Sequence, residues 1–221
     1  TTGTMRLSDL DRAIAVESLR LGGASAIHAI GDRACGDLID MYLELIDEGA
    51  IPRKLRIEHA SVMTESDIDR LGRSGIIAAV QPPFLGSEAT WLEQRLGPDR
   101  IELTCAGAAM EDAGTVLAGS SDCPVEPPDP WLGMALAQDR AGMSIGQALS
   151  AESALAMYTS GAATALEEPE PLAVGSPADF IVVDRDPLTI TPDQVAETQV
   201  LATYVDGVEV DVDRSQPLWL D

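Results

Sequence analysis

Three residues of this chain carry side chains suited to binding a metal ion, and each follows a short apolar run. His28 lies in AIHAIGDRA, His59 in RIEHA and Asp122 in AGSSDCPV, and the two histidines are the only ones in the chain. Two imidazoles and a carboxylate at the carboxyl ends of parallel strands form a candidate cage for a divalent metal. A hydrolytic metal site usually needs more ligands than these, and the chain has no third histidine to supply.

The elements that must position these residues alternate between strand and helix. Strands are predicted over 24–30, 54–59, 76–81 and 115–121. Helices are predicted over 9–21, 34–48, 65–73 and 101–113, with helical stretches near 131–141 and 152–166. Ser8 and Thr64 are suitable N-cap residues, and Gly22, Gly49 and Gly75 end helices. Because the strands are apolar almost throughout, we expect four β-α units with parallel strands that are buried on both faces.

Alternation along a strand predicts which side chains share a face. Leu55 and Ile57 share one parity with His59, and we expect this row to point inward, together with Ala79 and Ala118. Arg56 and Glu58 are then expected to face the helices. Glu58 is either a structural ion-pair partner or a metal ligand. By the same alternation, Asp122 is expected to share a face with Val116, Ala118 and Ser120.

A different pattern begins near residue 167. Residues 167–171 have the composition of a linker, and apolar runs follow over 178–184, 200–205 and 208–212. An Asp206-Gly207 pair between the last two runs predicts a hairpin turn. We therefore expect a small β module over 167–221.

The composition excludes some classes of partner. The chain has 221 residues, with 14 basic and 37 acidic side chains, a formal net charge of −23 and a single lysine, Lys54. Such a surface repels phosphate backbones and anionic membranes, so neither nucleic acid nor a membrane is an expected partner. The hydrophobic content of 45% is sufficient for a substantial core.

The cysteines and the N-terminal residues indicate the cellular compartment. Cys35, Cys105 and Cys123 are odd in number and have no metal-ligand spacing, which is typical of a reduced, cytoplasmic protein. No run reaches the roughly 18 apolar residues of a membrane span. The first residues, TTGTMRL, have no apolar signal core and no methionine at position 1, so we expect a fragment of a longer chain.

Seven motifs give the sequence a specific resemblance. They occur in this order: HAIGDRA, IEHASVM, VQPPF, RLGPDR, GSSDCPVEPPDPW, ALAMYTSGAA and VGSPADFIVVDRDPL. The series resembles the amidohydrolase superfamily, in particular its amidohydrolase family 3 branch, from about residue 8 onward. The resemblance implies an α/β fold, namely the C-terminal half (about strands five to eight) of a (β/α)8 TIM-type barrel with a β-sandwich remnant. The partial barrel would span 1–166 and the sandwich module 167–221.

The resemblance also implies roles. His28 matches a metal-binding histidine after the fifth barrel strand, and His59 matches one after the sixth. Asp122 matches the aspartate after the eighth strand, which binds metal and shuttles a proton. The family's His-x-His pair from the first strand and its acidic ligand from the fourth have no counterpart here. At most half of a binuclear centre can therefore be carried over.

Further residues near the strand ends are candidates for substrate binding. Gln81, Arg33 and Trp131 could contact substrate. For Arg33 the alternative is a surface ion pair beside Asp32, and for Trp131 it is core packing. Trp91 lies on a loop after strand 76–81 and has the same two interpretations. Asp122 could instead cap a turn, and Cys123 is either a reactive thiol or a passive small residue.

The resemblance implies metal-dependent hydrolysis of a non-peptide carbon–nitrogen bond in a small amide or cyclic amide, with zinc as the expected ion. The fragment alone is expected to be inactive. The alternative is a non-catalytic half-barrel, or gene remnant, that only self-associates. Expected partners are a small-molecule amide and either further copies of the chain or a missing N-terminal half.

Overall fold

A four-stranded parallel sheet forms the centre of the computed structural model, which describes residues 8–211. All three neighbouring pairs are parallel, and the strands follow one another across the sheet in chain order. This confirms the α/β class with parallel strands. The strands are β1 Ser25–Ala29, β2 Leu55–His59, β3 Ile77–Val80 and β4 Val116–Gly119.

Helices connect these strands and continue after them. Within residues 8–211, no helix combines the length and apolarity needed to cross a membrane. The helices are α1 Asp9–Arg20, α2 Asp32–Asp47, α3 Glu65–Ser74, α4 Pro83–Glu88, α5 Leu92–Leu96, α6 Pro98–Ile101, α7 Gly107–Asp112, α8 Pro130–Asp139, α9 Ala151–Tyr158, α10 Ser160–Ala165 and α11 Pro192–Ala196. Short 3₁₀ turns occupy Pro52–Lys54, Arg140–Gly142 and Ile145–Gln147.

Local sequence signals set several helix ends as predicted. Ser8 and Asp11 form a reciprocal capping box at the start of α1. Thr64 accepts a hydrogen bond from the Asp67 backbone at the start of α3. Gly75 ends α3 with φ 77°, a left-handed conformation that glycine adopts without steric cost.

One face of the sheet is covered by helices and contains the main core. Leu55 and Ile57 are fully buried there, and Ile57 lies beside Ala78, which lies beside Leu117. These side chains pack in one cluster with the apolar residues of α2, such as Leu38. The prediction that Leu55 and Ile57 point away from the helices was therefore wrong. The large aliphatic side chains of the strands pack against the apolar faces of the helices, because this contact removes the most apolar surface from water.

The opposite face carries the other parity. Glu58 lies beside His28 on one side and Ala79 on the other, so these residues share the second face. Arg56 and Glu58 form an ion pair at 2.5 Å on this face, and both side chains are half-buried. The predicted ion pair exists, but on the face opposite to the expected one. Ala79 does not share a face with Ile57, and both are buried.

Three predicted segments differ in detail. The loop that carries Trp91 contains the short helices α4, α5 and α6. The helix predicted over 101–113 begins only at Gly107, because Thr104 forms an isolated antiparallel bridge with Val62. The helix predicted over 152–166 is divided at Thr159 into α9 and α10.

The last described segment forms a second, antiparallel sheet. Its strands are β5 Phe180–Val183, β6 Val200–Val205 and β7 Val208–Val210, in that order. Asp206 and Gly207 both have positive φ and form the predicted hairpin turn. Helix α11 packs against α8, and its Val195 is fully buried in the main core. The predicted boundary at 166/167 follows α10, and residue 212 lies outside the described residues.

Candidate metal centre

The carboxyl ends of the four parallel strands bring the predicted residues to one edge of the sheet. His28 is the last residue but one of β1, and His59 is the last residue of β2. Gln81 follows β3 directly, and Asp122 follows β4 after two serines. Parallel strands place these four positions at the same edge, where α/β proteins commonly build their sites.

The two histidines are in direct contact. Their ring centroids lie 4.3 Å apart, with the ring planes at 70° to one another. Strand register puts His59 beside Ala29, on the face opposite to His28. The ring of His59 reaches His28 because His59 and Ala60 both have left-handed φ values, of 76° and 46°, which break the alternation. Such conformations cost non-glycine residues about 1–2 kcal/mol each, and strain of this kind is common at functional sites.

The surroundings of His59 favour its neutral form. Its side chain is 6% exposed, and the ring of Phe84 lies 6.4 Å away between centroids. Burial lowers the pKa of His59, and the neighbouring His28 lowers it further. Asp122, Gln81 and Glu58 act in the opposite direction but do not reverse the shift. A neutral imidazole is the form that binds a metal ion.

Asp122 stands at the entrance of a turn with φ 56°. The backbone N–H of Val125 donates to the Asp122 carbonyl at 2.9 Å, so this turn is closed by the main chain. Within residues 8–211, the Asp122 carboxylate has no protein hydrogen bond that would tie it to the turn. The carboxylate is exposed and acts on His59 through its charge. These observations favour a free carboxylate over a turn cap.

The side chain of Gln81 is fixed within the protein. Gln81 is 6% exposed, and its Nε2 donates to the Ala79 carbonyl at 3.0 Å and to Ser120 Oγ at 2.8 Å. The side chain thereby links the end of β3 to the segment that leads from β4 to Asp122. Both N–H groups of the Gln81 amide are thereby used on acceptors within the protein.

The other predicted substrate contacts interact with groups other than the two histidines. Arg33 is the second residue of α2; its side chain is 79% exposed and pairs with Asp37 at 3.4 Å on the same helix. Trp131 lies in the first turn of α8 and packs against the main core. Trp91 is 39% exposed, with the Arg95 guanidinium 5.4 Å from its ring centroid. Substrate roles for Arg33 and Trp131 stay predictions.

Arg140 was not singled out in the sequence, although it supports the loop after His59. It is 2% exposed and donates to the carbonyls of Thr104, Cys105 and Met143. Cys105 in turn donates its backbone N–H to Ser61 at 2.6 Å. Burial lowers the pKa of this guanidinium. The sequence around Arg140, AQDRAGM, has no distinctive pattern, and backbone acceptors leave no trace in a sequence.

The donor set fits part of a metal site. Two adjacent imidazoles suit zinc and similar divalent ions, which take nitrogen ligands at about 2.0–2.1 Å. Across residues 8–211, no group of three or more His, Cys, Asp or Glu side chains is arranged to hold a metal ion. A metal site at this histidine pair would need donors in addition to His28 and His59, and the assignment of both as ligands stays a prediction. The three-ligand set with Asp122 stays a prediction.

Comparison with known proteins places the sequence in a known family. A family model described as the amidohydrolase family matches residues 3–211. The chain is 31% identical over 193 residues to YtcJ of Bacillus subtilis, which is named as an amidohydrolase; the match covers 82% of this chain and 36% of YtcJ. It is 29% identical to an N-substituted formamide deformylase of Arthrobacter pascens, covering 88% of this chain and 38% of that protein.

Solved structures show the same fold. An uncharacterized metal-dependent hydrolase from Pyrococcus furiosus has a TM-score of 0.76 and 32% identity, covering 86% of this chain and 39% of its own. An adenosine deaminase from Xanthomonas campestris with bound zinc has a TM-score of 0.67 at 19% identity, covering 93% of this chain and 51% of its own. The chain thus spans between about a third and a half of the relatives that it matches.

Proposed function

Because the chain belongs to the amidohydrolase family, whose model matches residues 3–211, we propose that it carries part of a metal-dependent active site that hydrolyses a non-peptide carbon–nitrogen bond. The substrate class is a small amide or cyclic amide. The observation that carries this proposal is the contact of His28 with His59 at the carboxyl ends of the strands. The negative charge of Asp122 acts on His59 there. Zinc is the proposed ion, since it suits imidazole ligands.

The residues of this chain have separate tasks in the proposed reaction. His28 and His59 hold one divalent ion through ring nitrogens. The ion supplies Lewis-acid polarisation of the scissile carbonyl and of water. Asp122 accepts a proton from the attacking water and returns it to the leaving nitrogen, for which an exposed, untied carboxylate is suited. Arg33 and Trp131 remain candidates for substrate contact.

The proposed architecture is the C-terminal half of a (β/α)8 barrel with part of a β-sandwich. Four parallel strands in sequential order, each followed by helical segments, suit four of the eight units of such a barrel. The chain also spans 39% of the Pyrococcus furiosus hydrolase. In this proposal the remaining metal ligands come from the other half, so the chain alone has no turnover.

The test compares the chain as it stands with the product of the longest reading frame that contains it. Both are assayed with added zinc on a panel of N-acyl and cyclic amides. We expect turnover only from the longer product and its loss in His59→Asn, because residues 8–211 contain no group of three or more donors arranged to hold a metal ion. Robust zinc-dependent turnover by the chain alone contradicts the proposal that the remaining metal ligands come from the other half of the barrel. A longer product that neither binds zinc nor turns over any amide contradicts the proposed function.

A second candidate function is that of a non-catalytic half-barrel which self-associates. Among the described strands, β1 and β4 each have an unpaired edge, and unpaired edges pair readily with other chains. The second sheet exposes aliphatic side chains, including Leu201 at 59% and Val208 at 68%. A stop codon directly upstream of Thr1 favours this candidate. Light scattering over a dilution series is expected to show dimers or larger species, and a monomer mass throughout contradicts it.

A further inference from the structure

The backbone hydrogen bonds between β3 and β4 stop at a proline, and the side chain of Gln81 continues them. The Ser120 backbone N–H donates to the Val80 carbonyl at 2.9 Å. The regular parallel pattern would next need a backbone N–H at residue 82, which would donate to the Ser120 carbonyl. That residue is Pro82, which has no N–H. The Gln81 amide nitrogen donates instead to Ser120 Oγ at 2.8 Å, so a side chain supplies the next link between the two strands.

The orientation of this amide is fixed by a second hydrogen bond. Gln81 Nε2 also donates to the Ala79 carbonyl at 3.0 Å. A carbonyl oxygen can only accept a hydrogen bond, so the nitrogen of the amide, and not its oxygen, must lie at this end. Gln81 is 6% exposed, and hydrogen bonds in such surroundings are stronger than in water. Gln81 is therefore a fixed link between β3 and Ser120, and its predicted contact with substrate stays a prediction.

The segment that this link holds leads directly to Asp122. Asp122 has a left-handed φ of 56°, which a non-glycine residue keeps only when the surrounding structure holds it there. The bond from the Val125 N–H to the Asp122 carbonyl holds the C-terminal side of the residue. On its N-terminal side, the nearest bonds within residues 8–211 are the two that Ser120 makes with Val80 and Gln81. The position of Asp122 therefore depends on how firmly Ser120 is held.

We propose that Gln81 is a positioning residue, whose amide fixes segment 120–122 through Ser120 and thereby holds the Asp122 carboxylate at the carboxyl ends of the strands. The role in catalysis rests on the proposed function, in which Asp122 transfers the proton; the role in holding the turn does not. A displacement of about 1 Å at a reacting group can cost about 10²-fold in rate. Loss of the Gln81 link should therefore reduce turnover through Asp122 without changing how tightly substrate binds.

Cys123 provides a reporter directly beside Asp122. It is exposed, whereas Cys35 is buried. Burial raises the pKa of Cys35 to about 12 and that of Cys105 to about 11, so both resist thiol reagents, which react with the thiolate. A nitroxide spin label on Cys123 gives an EPR spectrum whose line widths report the mobility of the turn in the chain as it stands. The Cys123→Ser variant, treated with the same reagent, shows any signal from the other two thiols.

The first comparison removes the link from each of its two ends. We expect a slow-moving label in the unaltered chain and loss of this slow component in Gln81→Met, which keeps the side-chain length but has no N–H to donate. Ser120→Ala removes the same bond from its acceptor side, so it should give the same loss even if Gln81→Met fails to fold. Because both changes break one bond, the double variant should lose no more than either single variant.

Two further variants show whether the hydrogen bond itself is responsible. Ser120→Thr keeps the hydroxyl and should keep the slow component. Gln138→Met is the matched control, since Gln138 donates to the Met134 carbonyl within its own helix, and it should also leave the spectrum unchanged. A label that is already fast in the unaltered chain, one that stays slow in folded Gln81→Met, or losses that add up in the double variant would each overturn the proposal.

The kinetics of the longer product separate this inference from the proposed function. We expect Gln81→Met to lower kcat by up to about 10²-fold with KM unchanged. In an Asp122→Asn background the same change should add little, because the group that Gln81 positions is gone. An equal loss in both backgrounds overturns the link to Asp122. If the longer product has no turnover, the proposed function is wrong, while the EPR spectra still decide whether Gln81 fixes the turn.

Discussion

Replacing Gly133 by alanine tests how the helices after β4 are held against the strand that leads to Asp122. Tyr158, the last residue of α9, fills a slot between Gly133 of α8 and Gly119 of β4. A Cβ at Gly133 would lie 1.8 Å from the Tyr158 hydroxyl oxygen, and one at Gly119 would lie 2.6 Å from its ring. Because both walls are already in contact, the ring cannot slide aside and must leave the slot.

The expected cost follows from two opposing terms. Glycine to alanine inside a helix ordinarily stabilises by about 1 kcal/mol. Loss of a packed aromatic side chain from a core costs about 3–5 kcal/mol. We therefore expect Gly133→Ala to lower the free energy of unfolding by about 2–4 kcal/mol.

Urea unfolding followed by circular dichroism measures this change. Gly146→Ala is the control, since a Cβ there meets no atom within 4 Å. In a Tyr158→Ala background the slot is empty, so Gly133→Ala is expected to be neutral or stabilising. A loss below about 1 kcal/mol in the single variant, or an equal loss in both backgrounds, would refute the reasoning, because overpacking costs at least that much.

Three further predictions concern charge. The pKa of His59 is lowered in the folded protein, so below about pH 6.5 the unfolded chain binds more protons than the folded one. The free energy of unfolding should therefore rise with pH up to about 6.5. If His59→Asn shows the same increase of stability with pH as the unaltered chain, the prediction is wrong. With a net charge of −23, the melting temperature should rise with potassium chloride, and a flat or falling midpoint contradicts it. In an active longer product, Asp122→Asn should lower kcat by about 10²–10⁴-fold with the fold retained; near-normal turnover in a folded, metal-loaded variant would leave Asp122 a turn residue only.

Much of the fold could be predicted because its signals are local. The capping residues Ser8 and Thr64, the terminating Gly75 and the Asp206-Gly207 turn each act through neighbouring backbone. Apolar runs likewise located the four parallel strands to within two residues at each end. The order of the motifs predicted the family without any geometry.

The faces of β2 could not be derived from alternation alone. Alternation groups Leu55 and Ile57 with His59, and a metal-binding histidine was expected to mark the inner face. The left-handed φ of His59 breaks this grouping, so its ring meets His28 while Leu55 and Ile57 remain in the helix-covered core. Neither position 59 nor position 60 is a glycine, the residue that most reliably indicates a positive φ in a sequence.

The hydrogen bonds that hold the segments around the site together could not be predicted from the sequence either. The bonds of Gln81 to Ala79 and Ser120 depend on strand register. Those of Arg140 join three segments through backbone carbonyls. Contacts of this kind are set by tertiary packing and have no fixed spacing along the chain.

The central claim is that His28 and His59 bind one metal ion together. The most direct measurement follows both imidazole rings of the ¹⁵N-histidine-labelled chain by NMR while zinc is added. The account predicts that both rings respond in one step with a common affinity, and that His28→Asn or His59→Asn alone abolishes the response of the remaining ring. Rings that respond at separate zinc concentrations, or a ring that binds as tightly without its partner, would contradict a shared site.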